Sequence, residues 1–102
     1  MERFSVNGSL SAAPGKRDEL LQYLLEAARE MEQVENCYIY SVGIDPEDDA
    51  KVYVYEVWKN QAAHQASLTL DVFKNLIEKA KPIIIGMDDY PNLVIKGGKG
   101  IK

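Results

Sequence analysis

The order in which the hydrophobic period changes along the chain is the feature that most constrains its fold. Apolar residues recur at every second position in four segments, as in strands, and at every third or fourth position in two segments, as in amphipathic helices. This order predicts an α+β protein of ferredoxin-like β-α-β-β-α-β architecture, with a four-stranded antiparallel sheet and two helices on one face. The predicted elements are a strand at Arg3–Leu10, a helix at Lys16–Gln33, strands at Cys37–Ile44 and Lys51–Trp58, a helix at Gln61–Lys81 and a strand at Leu93–Lys96.

Two segments in the second half of the chain leave the local structure open. The second helical segment contains polar residues at Ser67–Leu70, where the helix can break and restart with Thr69 or Asp71 as the cap of the new segment. The apolar run Ile83–Met87 is compatible with a helical extension or with a strand.

The length of 102 residues predicts one domain, which we place at residues 1–96. Asp88–Asn92 has the composition of a loop, and the glycine-rich residues 97–102 are predicted to form a flexible tail. A domain of this size gains from additional burial in an oligomer.

The predicted strands carry apolar or aromatic side chains on both faces. In Cys37–Ile44, for example, Tyr38 and Tyr40 alternate with Cys37 and Ile39. Because the two helices cover only one face, the other face needs a partner, and a second copy of the same sheet is the simplest one. The sequence therefore predicts a homodimer.

The charge balance excludes several classes of partner. Twelve basic and sixteen acidic residues give a net charge of −4, which argues against non-specific nucleic-acid binding and against docking on anionic membranes. A single cysteine, Cys37, rules out an internal disulfide. This cysteine usage and the absence of a signal-like or membrane-spanning apolar run are consistent with a cytoplasmic protein.

The stretch Val52–Phe73 is the predicted centre of a functional site, because it joins a strand to a helix and gathers aromatic, acidic and imidazole groups. His64 is the candidate general base, since an imidazole titrates near neutral pH, and the alternative is a surface histidine. Asn7 is the candidate polar anchor for a substrate oxygen, and the alternative is an edge or inter-subunit hydrogen bond.

Aromatic residues are candidates for the walls of a substrate pocket. Trp58 is expected to stack on an aromatic ring, with a core or interface position as the alternative, and Tyr40 and Tyr55 either line the pocket or serve strand packing. Glu56 shares a face with Trp58 and is expected at an inter-subunit contact; the alternative is base chemistry after burial raises its pKa.

Metal binding has little support in the sequence. One histidine and one cysteine, far apart along the chain, do not form a ligand set. The acidic turn Asp45–Asp49 lacks the spacing and glycine of an EF-hand loop. We therefore expect neither a metal nor another cofactor.

Several short motifs, in order and at matching spacing over roughly residues 3–96, resemble the antibiotic biosynthesis monooxygenase domain. They are Pro14-Gly15-Lys16-Arg17-Asp18-Glu19-Leu20, Cys37-Tyr38-x-Tyr40, Asp45-Pro46-x-Asp48, and Tyr55-Glu56-x-Trp58 followed by Ala62-Ala63-His64-Gln65-Ala66. The resemblance implies a homodimer that forms a dimeric α/β barrel, with a cavity between the sheet and the helices of each subunit. It also implies a monooxygenase that oxidises a small phenol or quinol with molecular oxygen and no cofactor.

The chain departs from the family pattern on the second helix. Many members have a histidine where this chain has Ser67, and His64 lies one turn earlier. Ser67 is therefore a candidate substrate contact, and its presence supports an alternative function, a non-catalytic small-molecule-binding or stress-associated dimer. Haem degradation is disfavoured: Asn7 matches the asparagine of that branch, but the ligand region near Leu76–Ile77 has no histidine.

Overall fold

The computed structural model describes residues 2–101. Its elements follow the predicted β-α-β-β-α-β order, except that the second helical segment forms two helices and one further strand precedes the predicted last strand, so the sheet has five strands instead of the predicted four. Met1, the first residue of the predicted domain, and Lys102, the last residue of the predicted tail, lie outside the described residues. The elements are β1 (Arg3–Ala12), α1 (Arg17–Met31), β2 (Cys37–Gly43), β3 (Lys51–Trp58), α2 (Gln61–Ser67), α3 (Asp71–Ala80), a 3-10 turn (Lys81–Ile83), β4 (Ile84–Asp89) and β5 (Leu93–Ile95). The α+β class is thus confirmed.

The sheet is antiparallel and has the strand order β2-β3-β1-β4, which is the ferredoxin-like order. The short strand β5 also pairs with β1, along its first residues Arg3–Ser5, while β4 pairs with the second half of β1. Because β3 occupies the opposite edge of β1, β4 and β5 follow one another along the same edge. Within residues 2–101 the sheet is open, with β2 at one edge and β4 and β5 at the other.

The run Ile83–Met87, which the sequence leaves open, becomes a strand. β4 extends from Ile84 to Asp89, so the prediction of a loop over Asp88–Asn92 is wrong for its first two residues. The reason is tertiary: the second half of β1 offers unpaired backbone groups, and a short apolar run satisfies them by pairing. The predicted last strand at Leu93–Lys96 is confirmed as β5, which ends at Ile95.

The second helical segment does break, and it breaks where the polar residues cluster. Asn60 caps α2, since its side-chain oxygen accepts a hydrogen bond of 2.8 Å from the backbone N–H of Ala63. The prediction that Thr69 or Asp71 caps α3 is wrong. Leu70 holds the cap position in an extended conformation without a side-chain hydrogen bond, and the Thr69 hydroxyl donates back to the Ala66 carbonyl at 2.7 Å.

The helices cover one face of the sheet, here called the inner face. Leu20 and Leu24 of α1 and Ala80 of α3 pack there on Val52 and Val54 of β3. A second cluster contains Phe4, Met31 and Trp58, and it closes the end of the sheet beside α2. These clusters bury the apolar stripes that the periodicity identifies, so the helix–sheet packing follows from the sequence pattern.

Gly8, in the middle of β1, marks a close approach of backbone to backbone. A Cβ atom at this position would lie 3.0 Å from the carbonyl oxygen of Asp88 and 3.5 Å from Oδ1 of Asp89. Glycine therefore lets β4 lie close against β1 and leaves room for the Asp89 carboxylate above the strand.

The other face of the sheet, here called the outer face, mixes aromatic and polar side chains. Tyr55 and Val57 alternate there with the inward residues of β3, and Ser5 and Asn7 lie opposite them on β1. The C-terminal residues approach this face, since Ile101 borders the same surface depression as Val57. The prediction that residues 97–102 form a flexible tail stays a prediction.

None of the helices between residues 2 and 101 is both long enough and apolar enough to cross a membrane.

Candidate functional site

A cavity of about 180 Å³ opens between the inner face of the sheet and helix α3. Its walls are mainly apolar, and Glu56 and Asp89 supply the carboxylates among the described residues that line it. The lining residues are Val6, Asn7, Gly8, Ser9 and Leu10 of β1, Leu24 of α1, Tyr40 of β2, Val54 and Glu56 of β3, Phe73, Leu76, Ile77 and Ala80 of α3, and Ile84, Met87 and Asp89 of β4. A small apolar pocket with a few polar groups is the usual form of a small-molecule site.

Glu56 is the best-defined polar group of this cavity. The strand alternation that buries Val54 and Trp58 turns Glu56 to the same inner face. Its Oε1 accepts a hydrogen bond of 2.9 Å from the indole Nε1 of Trp58 and lies 4.0 Å from Nε2 of His64. The side chains of Glu56 and His64 are 14% and 18% exposed. The carboxylate is therefore held on one side by a donor and faces the cavity with its remaining acceptor capacity.

Burial sets the protonation of both groups. Desolvation raises the pKa of Glu56 above that of an ordinary glutamate, although the hydrogen bond from Trp58 partly opposes this effect. Desolvation also lowers the pKa of His64. His64 is consequently neutral at neutral pH, and at 4.0 Å its Nε2 is beyond hydrogen-bond distance of Glu56. Glu56 is the better poised of the two groups to exchange a proton with a molecule in the cavity.

Two neighbours of Glu56 are held in their protonated forms. Burial, and then the nearby charge of Glu56, raises the pKa of the Tyr40 hydroxyl, which lines the cavity. The same two causes, in the same order, raise the pKa of the Cys37 thiol to about 11. Tyr40 can thus donate a hydrogen bond to a bound oxygen, whereas Cys37 has the character of an inert, half-buried thiol.

The structure places the side chains of three predicted site residues in or beside the cavity, those of Tyr40, Trp58 and His64. Tyr40 lines it. Asn7 also belongs to the lining, but the register opposite Tyr55 turns its side chain to a cleft on the outer face, so its predicted role as a polar anchor stays a prediction. Trp58 and His64 lie immediately behind Glu56, where the His64 ring packs 5.7 Å from the Trp58 ring and 5.8 Å from that of Phe4.

Two predicted substrate contacts lie elsewhere. Tyr55 is on the outer face of the sheet, separated from the cavity by the sheet itself. Ser67 is 4% exposed and lies in α2, where its hydroxyl donates a hydrogen bond of 2.5 Å to the His64 carbonyl. The structure therefore does not bring these two residues together with Tyr40 and Glu56, and their predicted roles stay predictions.

Glu56 and Asp89 are the site residues that sequence reasoning left out of the main prediction. Within one subunit the Glu56 carboxylate accepts a hydrogen bond from Trp58 and lines the cavity, and its expected place at an inter-subunit contact stays a prediction. An acidic residue on the apolar face of a strand was the available signal. Asp89 had no such signal, since its position depends on the pairing of β4 with β1.

The described residues, 2–101, contain no group of three or more histidine, cysteine or acidic side chains that could hold a metal ion.

Comparison with known proteins identifies the family of this cavity-bearing fold. A sequence model of the antibiotic biosynthesis monooxygenase family matches residues 3–79. The chain belongs to this family. A crystal structure from Chloroflexus aurantiacus, described as a "putative antibiotic biosynthesis monooxygenase", shares 33% sequence identity with it. The two structures superpose with a TM-score of 0.86, and the match covers 98% of this chain and 99% of the other.

More distant family structures share the fold. A protein from Deinococcus radiodurans with the same description has 23% identity and a TM-score of 0.77, over 97% of this chain and 96% of its own. One from Caulobacter crescentus has 17% identity and a TM-score of 0.79, over 95% and 91%. A search of proteins with curated functions found no match. The family and these structures are named as monooxygenases, and none of the names gives a substrate.

Proposed function

We propose that the protein is a cofactor-independent monooxygenase that oxidises a small phenol or quinol with molecular oxygen. The observation that carries this proposal is the position of Glu56. It is a desolvated carboxylate with a raised pKa, in the wall of an apolar cavity. A base of this kind can remove the proton of a phenol, and the resulting electron-rich anion can reduce oxygen.

The size of the cavity favours a single aromatic ring. An engineered apolar cavity of about 150 Å³ holds one benzene molecule, and the cavity here has a volume of about 180 Å³. Phe73, Leu76 and Ile77 supply an apolar wall for the ring, while Glu56 and Tyr40 lie on the sheet side, where the ring hydroxyl would bind.

The reaction needs only the substrate, oxygen and a proton carrier. Glu56 takes the hydroxyl proton, the anion passes electrons to oxygen, and one oxygen atom bonds to a ring carbon. The ring loses the hydrogen of that carbon and the hydroxyl hydrogen, which leave with the second oxygen atom as water. A phenol then becomes a quinone, and a quinol becomes a hydroxyquinone. All four electrons come from the substrate, so no external reductant enters the balance.

We propose that His64 and Trp58 act through Glu56 in this reaction. Trp58 holds the carboxylate by its 2.9 Å hydrogen bond, and His64 covers it from the other side. His64 is behind Glu56 and outside the cavity lining, which makes it a positioning residue in this proposal. If His64 were itself the base, as its sequence position suggests, the proton would have to pass through Glu56.

The proposal predicts oxygen consumption by the purified protein with single-ring hydroquinones such as methylhydroquinone, without added metal or flavin. The measurement is oxygen uptake above the autoxidation rate.

In His64→Ala, water reaches Glu56 and lowers its pKa, so the pH–rate profile should move to lower pH with partial loss of rate.

No uptake across a panel of phenols and hydroquinones would contradict a monooxygenase. If calorimetry still detected binding of the same rings, the result would favour the alternative of a non-catalytic ligand-binding domain. Ser67, in place of the histidine of many family members, supports that alternative.

We further propose that the chain forms a homodimer through the outer face. Tyr55, Tyr90 and Leu93 are exposed there and border one cleft of about 410 Å³. Covering such side chains is the usual reason for a sheet face to pair. Light scattering should therefore give twice the chain mass of 11.5 kDa. A particle with the mass of one chain at micromolar concentration would contradict the dimer.

A further inference from the structure

The two carboxylates of the cavity lie at different places along its floor. Glu56, on β3, is opposite Val6 of β1, and Asp89, on β4, is opposite Gly8 of β1. The two carboxylates therefore flank β1 on its two sides. Strand spacing and rise put their Cα atoms about 12 Å apart. Because both side chains are on the inner face, a ring that binds Glu56 through its hydroxyl can extend a short side arm towards Asp89.

Asp89 is placed to meet a ligand. Gly8 has no side chain, and its missing Cβ would lie 3.5 Å from Oδ1 of Asp89, so this carboxylate rests over the bare backbone beside the cavity. Neighbouring Asp88 points to the outer face, where Lys51 pairs with it at 3.3 Å. Asp89 has no such ion pair with any of residues 2–101.

No positive side chain offsets these two carboxylates in the cavity wall. Of the described residues that line it, none is lysine, arginine or histidine. A carboxylated ring would bring a third negative charge into an apolar space without a counter-ion, which is costly. An ammonium group on the side arm would instead pair with Asp89 at the exposed end of the cavity.

We infer that the cavity selects single-ring phenols or quinols with a short aminoalkyl arm, the ammonium group binding Asp89 and the ring hydroxyl binding Glu56. This inference rests on the proposed function for its choice of a phenolic ring. The charge preference itself depends only on the positions of the two carboxylates and on the apolar walls.

The test compares three para-substituted phenols whose two-carbon arm ends in an ammonium group, in hydrogen or in a carboxylate: tyramine, para-ethylphenol and para-hydroxyphenylpropionate. Calorimetry should show the tightest binding for tyramine and the weakest for the propionate. An exposed ion pair and the matching repulsion predict a separation of about tenfold between these two at low salt. The separation should shrink at high salt because of screening.

Asp89→Asn should bring tyramine and para-ethylphenol to equal affinity, and Asp88→Asn is the matched control. The control removes the same charge from the adjacent residue on the outer face, so it should keep the order of the three ligands. Equal affinities in the wild type, an order that survives Asp89→Asn, or no binding of any ring would each overturn the inference.

Oxygen uptake with hydroquinones that carry the same three kinds of arm separates this inference from the proposed function. Charge-ordered binding without oxygen uptake would leave the inference standing and remove the monooxygenase. Oxygen uptake at rates that do not depend on the arm would support the monooxygenase and overturn the inference about the aminoalkyl arm.

Discussion

Replacing Glu56 with glutamine is expected to lower the rate of oxygen uptake about 10²–10⁴-fold, the usual contribution of a general base. Glutamine keeps the shape of the side chain, and its oxygen can still accept the hydrogen bond of 2.9 Å from Trp58. It cannot take a proton. The measurement is steady-state uptake with methylhydroquinone, and the loss should appear in kcat while ring binding by calorimetry changes little.

The pH dependence gives this prediction a second readout. The wild-type rate should rise with pH as Glu56 ionises, and burial places this rise above the pH range of an ordinary glutamate. The residual rate of Glu56→Gln should lack this rise with pH, here called the pH–rate limb. Glu78→Gln, on the exposed side of α3, is the matched control and should leave the rate and the limb unchanged. If His64→Ala abolished turnover while Glu56→Gln retained most of it, the base would be His64.

Stability separates lost chemistry from lost structure in this variant. The pKa of Glu56 is raised on folding, so the native state favours its protonated form, and the ionised form costs stability as pH rises through the native pKa. Below the unfolded pKa this cost is absent. Glu56→Gln should therefore match the wild type in acid and be at least as stable at neutral pH, as measured by urea unfolding.

Trp58→Ala is expected to have the largest effect on stability, about 3–5 kcal/mol, as for other buried large-to-small substitutions. Trp58 is 0% exposed and, with Phe4 and Met31, forms the second core cluster. The loss is a large fraction of the total stability of a small domain, which is about 5–15 kcal/mol. Urea unfolding should show a much lower midpoint, and a cost below about 1 kcal/mol would contradict the packing described here.

Trp58→Phe separates the volume of this side chain from its hydrogen bond. Phenylalanine fills much of the space but has no N–H to donate to Glu56. Since that hydrogen bond lowers the pKa of Glu56, its loss should raise the pKa further and move the pH–rate limb to higher pH. The stability loss should be smaller than in Trp58→Ala. An unchanged limb would show that the indole does not tune Glu56.

The site could be predicted from the sequence only where local pattern determined which way a side chain points. Glu56 and Trp58 share a face in any strand that contains both, so their proximity follows from the alternation. That Tyr40 joins Glu56 depended on the register of β2 against β3, which places them opposite one another. The separation of Tyr55 from the cavity follows from the same alternation, but only once the structure shows which face the helices cover.

The sequence by itself determined the α+β class and the ferredoxin-like β-α-β-β-α-β order, because the hydrophobic period is a local property. It indicated the break between α2 and α3 only as one possibility, and with the wrong capping residue. Only the tertiary structure decided that Ile84–Asp89 is a strand, because the unpaired edge of β1 settles that choice. The same pairing brings Asp89 over Gly8 and into the cavity that Glu56 enters from β3. The candidate site therefore depends on contacts between residues far apart in the chain, which periodicity cannot report.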